Sequence, residues 1–296
     1  MDGIYSASIT PFDGAGKFQA EALILLMERN LAEGASGFFI GGSAGECFLL
    51  AEEERIAVFE AASAFRDRTT LIAHIGAIST DEAIRYGLAA KSLGFQHIAA
   101  TPPFYYGFSP EHIAAYYYDI AGAVGMPVMI YNFPGNTHKP FNLEHPATAE
   151  LLRSEAVFGV KHTNHDLSQL ERIKALAPNL AVMNGFEEGM LGSLALGADG
   201  SIGSTFNFML PHYKKVSDRY KAGKVQEALA LQVRANNIMA ALNRVGLIPA
   251  IKYILETQGI ASGAPRRPFA PLSPEQRRYL DGIVGDNLLR QPLKTG

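Results

Sequence analysis

The sequence predicts an α/β protein: a (β/α)8 TIM barrel followed by a C-terminal helical extension. Three observations lead there. Short apolar or β-branched runs alternate eight times with longer segments of helical period. The runs show little polar alternation, as expected of parallel strands covered on both faces. The first strand-to-helix turn, PFDGAGKF, holds no GxGxxG, which an open doubly wound sheet would want at that point.

The strand candidates are Gly3–Thr10, Gly37–Gly42, Thr70–Ile75, His97–Thr101, Pro127–Asn132, Val157–Thr163, Leu180–Gly185 and Gly200–Thr205. Helical period fills Ala20–Leu31, Glu52–Phe65, Asp81–Leu93, Pro110–Val124 and Leu167–Ala177 between them. Glycine marks several changes from helix to strand, at Gly34 and Gly37, Gly94, Gly125, and Gly197 and Gly200. After the eighth unit, residues 224–258 and 274–290 read as further helices, joined by SGAPRRPFAPLSP. These are too few for a core of their own. The expectation is a barrel over 1–222 and an extension over 223–296, packed on the barrel or on a neighbouring subunit.

Composition narrows the function. The 296 residues carry 26 Lys+Arg against 29 Asp+Glu, and with no basic run this gives no reason to expect a nucleic acid partner. A single cysteine rules out an internal disulfide framework and any cysteine-rich zinc site. The longest apolar run, IAGAVGMPVMIY at 120–131, is too short to span a bilayer and contains Pro127, so no membrane partner is expected. The N-terminal MDGIYSASITPFDG lacks a basic stretch followed by an apolar one, and the expectation is a cytoplasmic protein.

Catalytic groups of such barrels project from the C-terminal strand ends. There the sequence places GGSAGE (41–46), TPPFYYGF (101–108), IYNFPGNT (130–137), GVKHTNHD (159–166), NGFEEG (184–189, with Gly185) and GSIGSTFN (200–207). Lys161 follows an apolar strand, where desolvation lowers the pKa and frees an amine to attack a ketone. The alternative is a solvated rim lysine or one paired with Glu187. Tyr131 ends the neighbouring strand and either handles protons at a carbinolamine or is a core tyrosine with a satisfied hydroxyl. Gly41 to Gly45 form a turn whose N–H groups can converge on a small carboxylate, and Ser43 within it could relay a proton to Tyr131. Glu46 reads as a structural turn or helix-start acid, and Cys47 as a small buried hydrophobe. His162, His165 and Asp166 cluster, but His162 should point away from Lys161 and further ligands are not evident, so no metal is assigned. GADGSIGS lacks a nearby arginine and is a poor phosphate loop.

Taken in order, SITPFDGAGK, GGSAGECFLL, YNFP, GVKHT, GSIGSTFN and RRPFAPL resemble the N-acetylneuraminate lyase/dihydrodipicolinate synthase family of pyruvate-dependent class I aldolases, over nearly the whole chain. The resemblance implies that Lys161 forms the imine with pyruvate or a 2-oxo acid and that Tyr131 moves protons there. It makes Ser43 the link between Tyr131 and Tyr105, the latter supplied by an adjoining subunit of a homotetramer (a dimer of dimers). Gly42 to Ala44 would hold the carboxylate, and Gly203 and Ser204 would line the pocket. Thr163, Gly185, Glu187 and Glu188 would meet a hydroxylated substrate tail. The family's synthases typically carry an arginine where this chain has Asn136, and an amide cannot clamp a second carboxylate as a guanidinium does. Ala44 replaces the usual hydroxyl or glycine of the turn and removes one possible carboxylate contact. The expected activity is cleavage of a 2-oxo-3-deoxy sugar acid to pyruvate and an aldehyde. The covalent imine at Lys161 would serve in place of a cofactor. The alternatives are synthase-type condensation of pyruvate with aspartate semialdehyde, or a silent barrel that only binds a 2-oxo acid.

Overall fold

In the computed structural model, which describes residues 1–139 and 141–288, eight parallel strands close into one barrel. They are β1 (Gly3–Ala7), β2 (Gly37–Ile40), β3 (Thr70–His74), β4 (His97–Ala100), β5 (Val128–Asn132), β6 (Val157–His162), β7 (Ala181–Asn184) and β8 (Gly200–Gly203). The helices α1 (Ala20–Ala32), α2 (Glu52–Ser63), α3 (Thr80–Ser92) and α4 (Pro110–Val124) alternate with the first five strands. Two short helices, α5 (Pro134–Thr137) and α6 (Pro146–Arg153), share the next crossover. Then come α7 (Leu167–Leu176), α8 (Met190–Ala195) and α9 (Phe206–Lys221), followed by α10 (Val225–Val245), α11 (Leu247–Thr257) and α12 (Pro274–Asn287). The end of the last expected helix, 289–290, and the rest of the extension to 296 lie outside the described residues.

Local chemistry starts and stops these helices. Before α4 the Ser109 hydroxyl accepts the His112 N–H with Pro110 in the first turn, and Gly125 ends the helix at φ 65°. Before α7 the Asp166 carboxylate accepts the Gln169 N–H at 3.1 Å. Seven of the eight expected strands overran at their C-terminal ends, while the fifth ended at Asn132 as expected. The β8–β1 ladder stops at the Gly203–Ser6 pair, and Thr205 precedes α9 instead of extending β8. Pairing ends before propensity does: the Thr205 N–H bonds the Glu187 carboxylate at 2.8 Å and not a neighbouring strand. The helical stretch expected over 224–258 is two helices. Gly246, at φ 106°, breaks it, and the chain turns by 116° between α10 and α11.

Two apolar layers result. The larger lies between the barrel wall and the surrounding helices. The smaller fills the barrel with inward side chains that include Tyr5, Phe39, Ile72, Met129, Met183 and Ile202, so the interior is packed and not a pore. No single helix among the described residues is long and apolar enough to cross a membrane.

Candidate active site

Alternation along β6 turns Val160 toward the helix layer and Lys161 into the barrel. The β5–β6 register sets Tyr131 beside Lys161, the neighbour relation the strand pattern implied. The Lys161 Nζ lies 4.0 Å from the Tyr131 ring centre and 4.3 Å from that of Phe39, in a residue only 4% exposed. Burial pushes its pKa down to about 7, against the opposing pull of Glu187 and Cys47. Near neutral pH much of this amine is unprotonated and nucleophilic.

The Tyr131 hydroxyl stands 3.5 Å from the Ser43 hydroxyl. Burial raises the phenol pKa, while the Ser43 and Thr163 hydroxyls pull it back. Tyr131 is therefore a phenol in the resting site and a proton donor first. The Thr163 hydroxyl, close by, makes no full hydrogen bond to the protein.

Ser43 to Gly45 form a single 3-10 turn after β2, closed by the Gly45 N–H on the Gly42 carbonyl at 3.0 Å. The Ser43 and Ala44 N–H groups precede that bond, as the first donors of any helical turn do. Beneath the turn is a buried pair that sequence reading missed. The Thr101 N–H donates to His74 Nε2 at 3.3 Å, which leaves the proton on Nδ1 to bond the Gly41 carbonyl at 3.0 Å. Burial first, and the Arg55 charge next, hold this imidazole neutral. Arg55 donates to the His74 and Gly76 carbonyls at 2.6 and 3.0 Å, and its guanidinium packs 4.2 Å from the Tyr86 ring centre.

After β7, Glu187 turns one oxygen to the Thr205 N–H at 2.8 Å and to the Ser204 and Thr205 hydroxyls, each at 3.1 Å. Burial, then the neighbouring Glu188, raise its pKa. Gly185 must be glycine, because a Cβ there would sit 1.8 Å from the Thr163 hydroxyl.

A cavity of about 430 Å³ opens over this constellation. Its wall includes Ser43, Ala44, Tyr131, Lys161 and Thr163, and on the other side Gly185, Glu187, Glu188 and Ser204. Asn136 also lines it. Gly42 precedes the Ser43 turn and Gly203 ends β8, and neither is among the residues lining the cavity. Tyr105 is not brought in by its own chain: it is 75% exposed, with its ring against Tyr106. His165, which the sequence reading did not place at the site, lines the cavity with its ring stacked on Phe186 at 4.4 Å. His162 does point away from Lys161, and its ring nitrogens meet the Asn132 amide and the Asp166 carbonyl. Among the described residues no three His, Cys, Asp or Glu side chains are arranged to hold a metal ion.

Two expected bystanders have definite places. Cys47 is buried, and burial raises its thiol pKa. Glu46, left-handed at φ 59°, forms a buried ion pair with Lys252 of α11 at 2.7 Å and accepts the Arg266 N–H at 2.6 Å. The acid thus ties the catalytic-side turn to the C-terminal extension. The extension also contributes Met239, Asn243, Leu247 and Ile248 to the cavity wall, which the sequence reading did not anticipate.

Fold and site together define a barrel lyase of the class I aldolase type. The model of the dihydrodipicolinate synthetase family matches residues 1–286, and the chain belongs to that family. It is 40% identical over 270 residues to the N-acetylneuraminate lyase of Rhizobium meliloti (strain 1021), covering 91% of this chain and 89% of that protein. Among solved structures it is similar to CdNal from Clostridium difficile in complex with mannosamine, with TM-score 0.93, 33% identity, and 97% and 99% of the two chains covered. N-acetylneuraminate lyase from Fusobacterium nucleatum matches with TM-score 0.91, also at 33% identity, over 98% and 99% of the chains.

Proposed function

We propose that this protein cleaves, and in reverse forms, a 2-oxo-3-deoxy sugar acid of the N-acetylneuraminate kind, giving pyruvate and an aldehyde. One observation carries the reading: a buried amine with its pKa near 7 stands beside a phenol and a serine hydroxyl at the base of the cavity. Its relatives in Rhizobium and Fusobacterium support the substrate class, as does the mannosamine bound to the Clostridium protein. The described wall holds no arginine, which disfavours a second carboxylate, and two glutamates suit a neutral polyhydroxylated tail.

The free Lys161 amine attacks the C2 ketone, and Tyr131 gives the carbinolamine hydroxyl the proton it needs to leave as water. The resulting phenolate then takes the C4 hydroxyl proton. The C3–C4 bond breaks with its electrons drawn into the protonated imine, and the aldehyde departs. The enamine is reprotonated at C3, and water hydrolyses the imine to free lysine and pyruvate. The imine supplies the electron withdrawal, so this route calls for no added cofactor. The Ser43 and Ala44 N–H groups would hold the carboxylate. In a cytoplasmic homotetramer Tyr105 would extend the Ser43–Tyr131 relay of an adjoining subunit, and its exposure leaves it available for that.

Borohydride added with pyruvate should leave a reduced adduct on Lys161, located by peptide mass spectrometry. A panel of 2-oxo-3-deoxy acids should release pyruvate with or without EDTA. An unmodified Lys161, or condensation of aspartate semialdehyde with no sugar acid cleaved, would overturn the proposal.

A further inference from the structure

Helix α10 grips the acidic turn through a row of amides. Gln232 donates to the Glu187 carbonyl at 3.0 Å, Asn236 to the Glu188 carbonyl at 3.2 Å, and Asn243 to the Glu188 carboxylate at 3.4 Å. Gln232 is itself fixed, accepting the Leu191 N–H at 3.1 Å and donating to the Asn236 side chain at 2.8 Å. Residues 232, 236, 239 and 243 fall on one stripe of a helix with 3.6 residues per turn, and Met239 and Asn243 of that stripe line the cavity. Helical amides ordinarily face water. Here three on one stripe converge on a single two-glutamate turn.

The two ends of the cavity differ. Lys161 is buried at its base, whereas Asn243 is exposed at its mouth. The Glu188 carboxylate is half used. One oxygen receives the long bond from Asn243, and the other is buried with no protein partner. A buried acceptor without a donor is costly, so this oxygen gains from a hydroxyl brought in by a ligand. The volume between the ends, about 430 Å³, takes on the order of ten water-sized groups, well beyond a three-carbon acid.

We propose that Asn243 is a specificity-determining residue. With Glu188 it forms a mouth subsite for the terminal hydroxyls of a long 2-oxo-3-deoxy acid. Its amide orients the carboxylate and offers both a donor and an acceptor to a diol, while Gln232 and Asn236 position the turn. The inference rests on the lyase reading and adds that the C-terminal extension selects substrate length.

The test compares cleavage of six-carbon and nine-carbon 2-oxo-3-deoxy acids by the full-length wild type, Asn243→Leu and Asn243→Asp. Pyruvate trapping at Lys161 reports that each variant has an assembled site. In Asn243→Leu the ratio of kcat/KM for the nine-carbon acid to that for the six-carbon acid should fall roughly tenfold, mostly through KM, as for loss of hydrogen bonding at one point. Asn243→Asp, isosteric but setting a like charge beside Glu188, should lower the ratio further. A ratio that moves less than twofold in both variants overturns the subsite, as does an equal fall of kcat on both acids. A wild type that cleaves only the six-carbon acid overturns the subsite and leaves the lyase reading standing. One that cleaves neither overturns both.

Discussion

Lys161→Met removes one titrating group and keeps an unbranched side chain, so its stability relative to wild type should track pH. The buried amine titrates at about 7 against an ordinary lysine value of 10.5. That displacement is worth on the order of 5 kcal/mol, at about 1.36 kcal/mol per pKa unit. The sign follows from proton counting. Between pH 7 and about 10 the unfolded chain holds a proton on this lysine that the folded chain has released, so wild-type stability from this group rises with pH. Below pH 7 the folded protein buries the ammonium and bears the full penalty. The Met variant should therefore exceed wild type by several kcal/mol at pH 6, and the gap should shrink by roughly 2–3 kcal/mol by pH 9. Urea unfolding of both proteins at pH 6, 7.5 and 9, followed by circular dichroism, measures it. A gap that stays constant would refute the desolvated-amine argument. The same titration should appear in chemistry, with the rate of pyruvate adduct trapping rising about tenfold per pH unit below 7 and levelling above it.

Glu46→Gln leaves the Lys252 ammonium buried without its counter-charge and should cost roughly 3 kcal/mol or more. Glu46→Gln with Lys252→Met should recover most of that, and thermal unfolding that places the single and double variants together would refute it. Ala44→Ser adds a hydroxyl to the turn proposed to hold the substrate carboxylate. It should lower the pyruvate concentration for half-maximal adduct trapping severalfold, and an unchanged or higher concentration would count against that turn as the carboxylate site.

The barrel and the Lys161–Tyr131 pair were legible because both depend on local order. Apolar runs mark buried strands, and consecutive strands in a parallel barrel are neighbours. What could not be read is set by contacts distant in sequence. Glu188 meets Asn243 across 55 residues, and Arg266 N–H meets Glu46 across 220. Gln232, Asn236 and Asn243 look like an ordinary solvated helix face, and only the closing of the barrel aims them at the acidic turn. Arg55 was equally silent, since an arginine in a run of glutamates reads as surface charge. The structure buries it beneath the Ser43 turn with no acid paired to it among the described ion pairs. Tyr105 is the reverse case, singled out by resemblance yet left in solvent by its own chain.

The packed interior below Lys161 closes the lower end of the chamber. Phe39, Met129 and Met183 seal the lower end, so nothing enters or leaves through the barrel axis. In the proposed reaction a sugar acid joined to Lys161 by its C2 end would extend its tail outward, past the glutamates and Asn243. After cleavage the aldehyde would stand between pyruvate and the exit. The aldehyde would then leave before pyruvate, and in synthesis pyruvate would enter first. With the imine formed as proposed, Lys161 would also keep the queue: while it holds the three-carbon fragment, the chamber is already set for the reverse reaction.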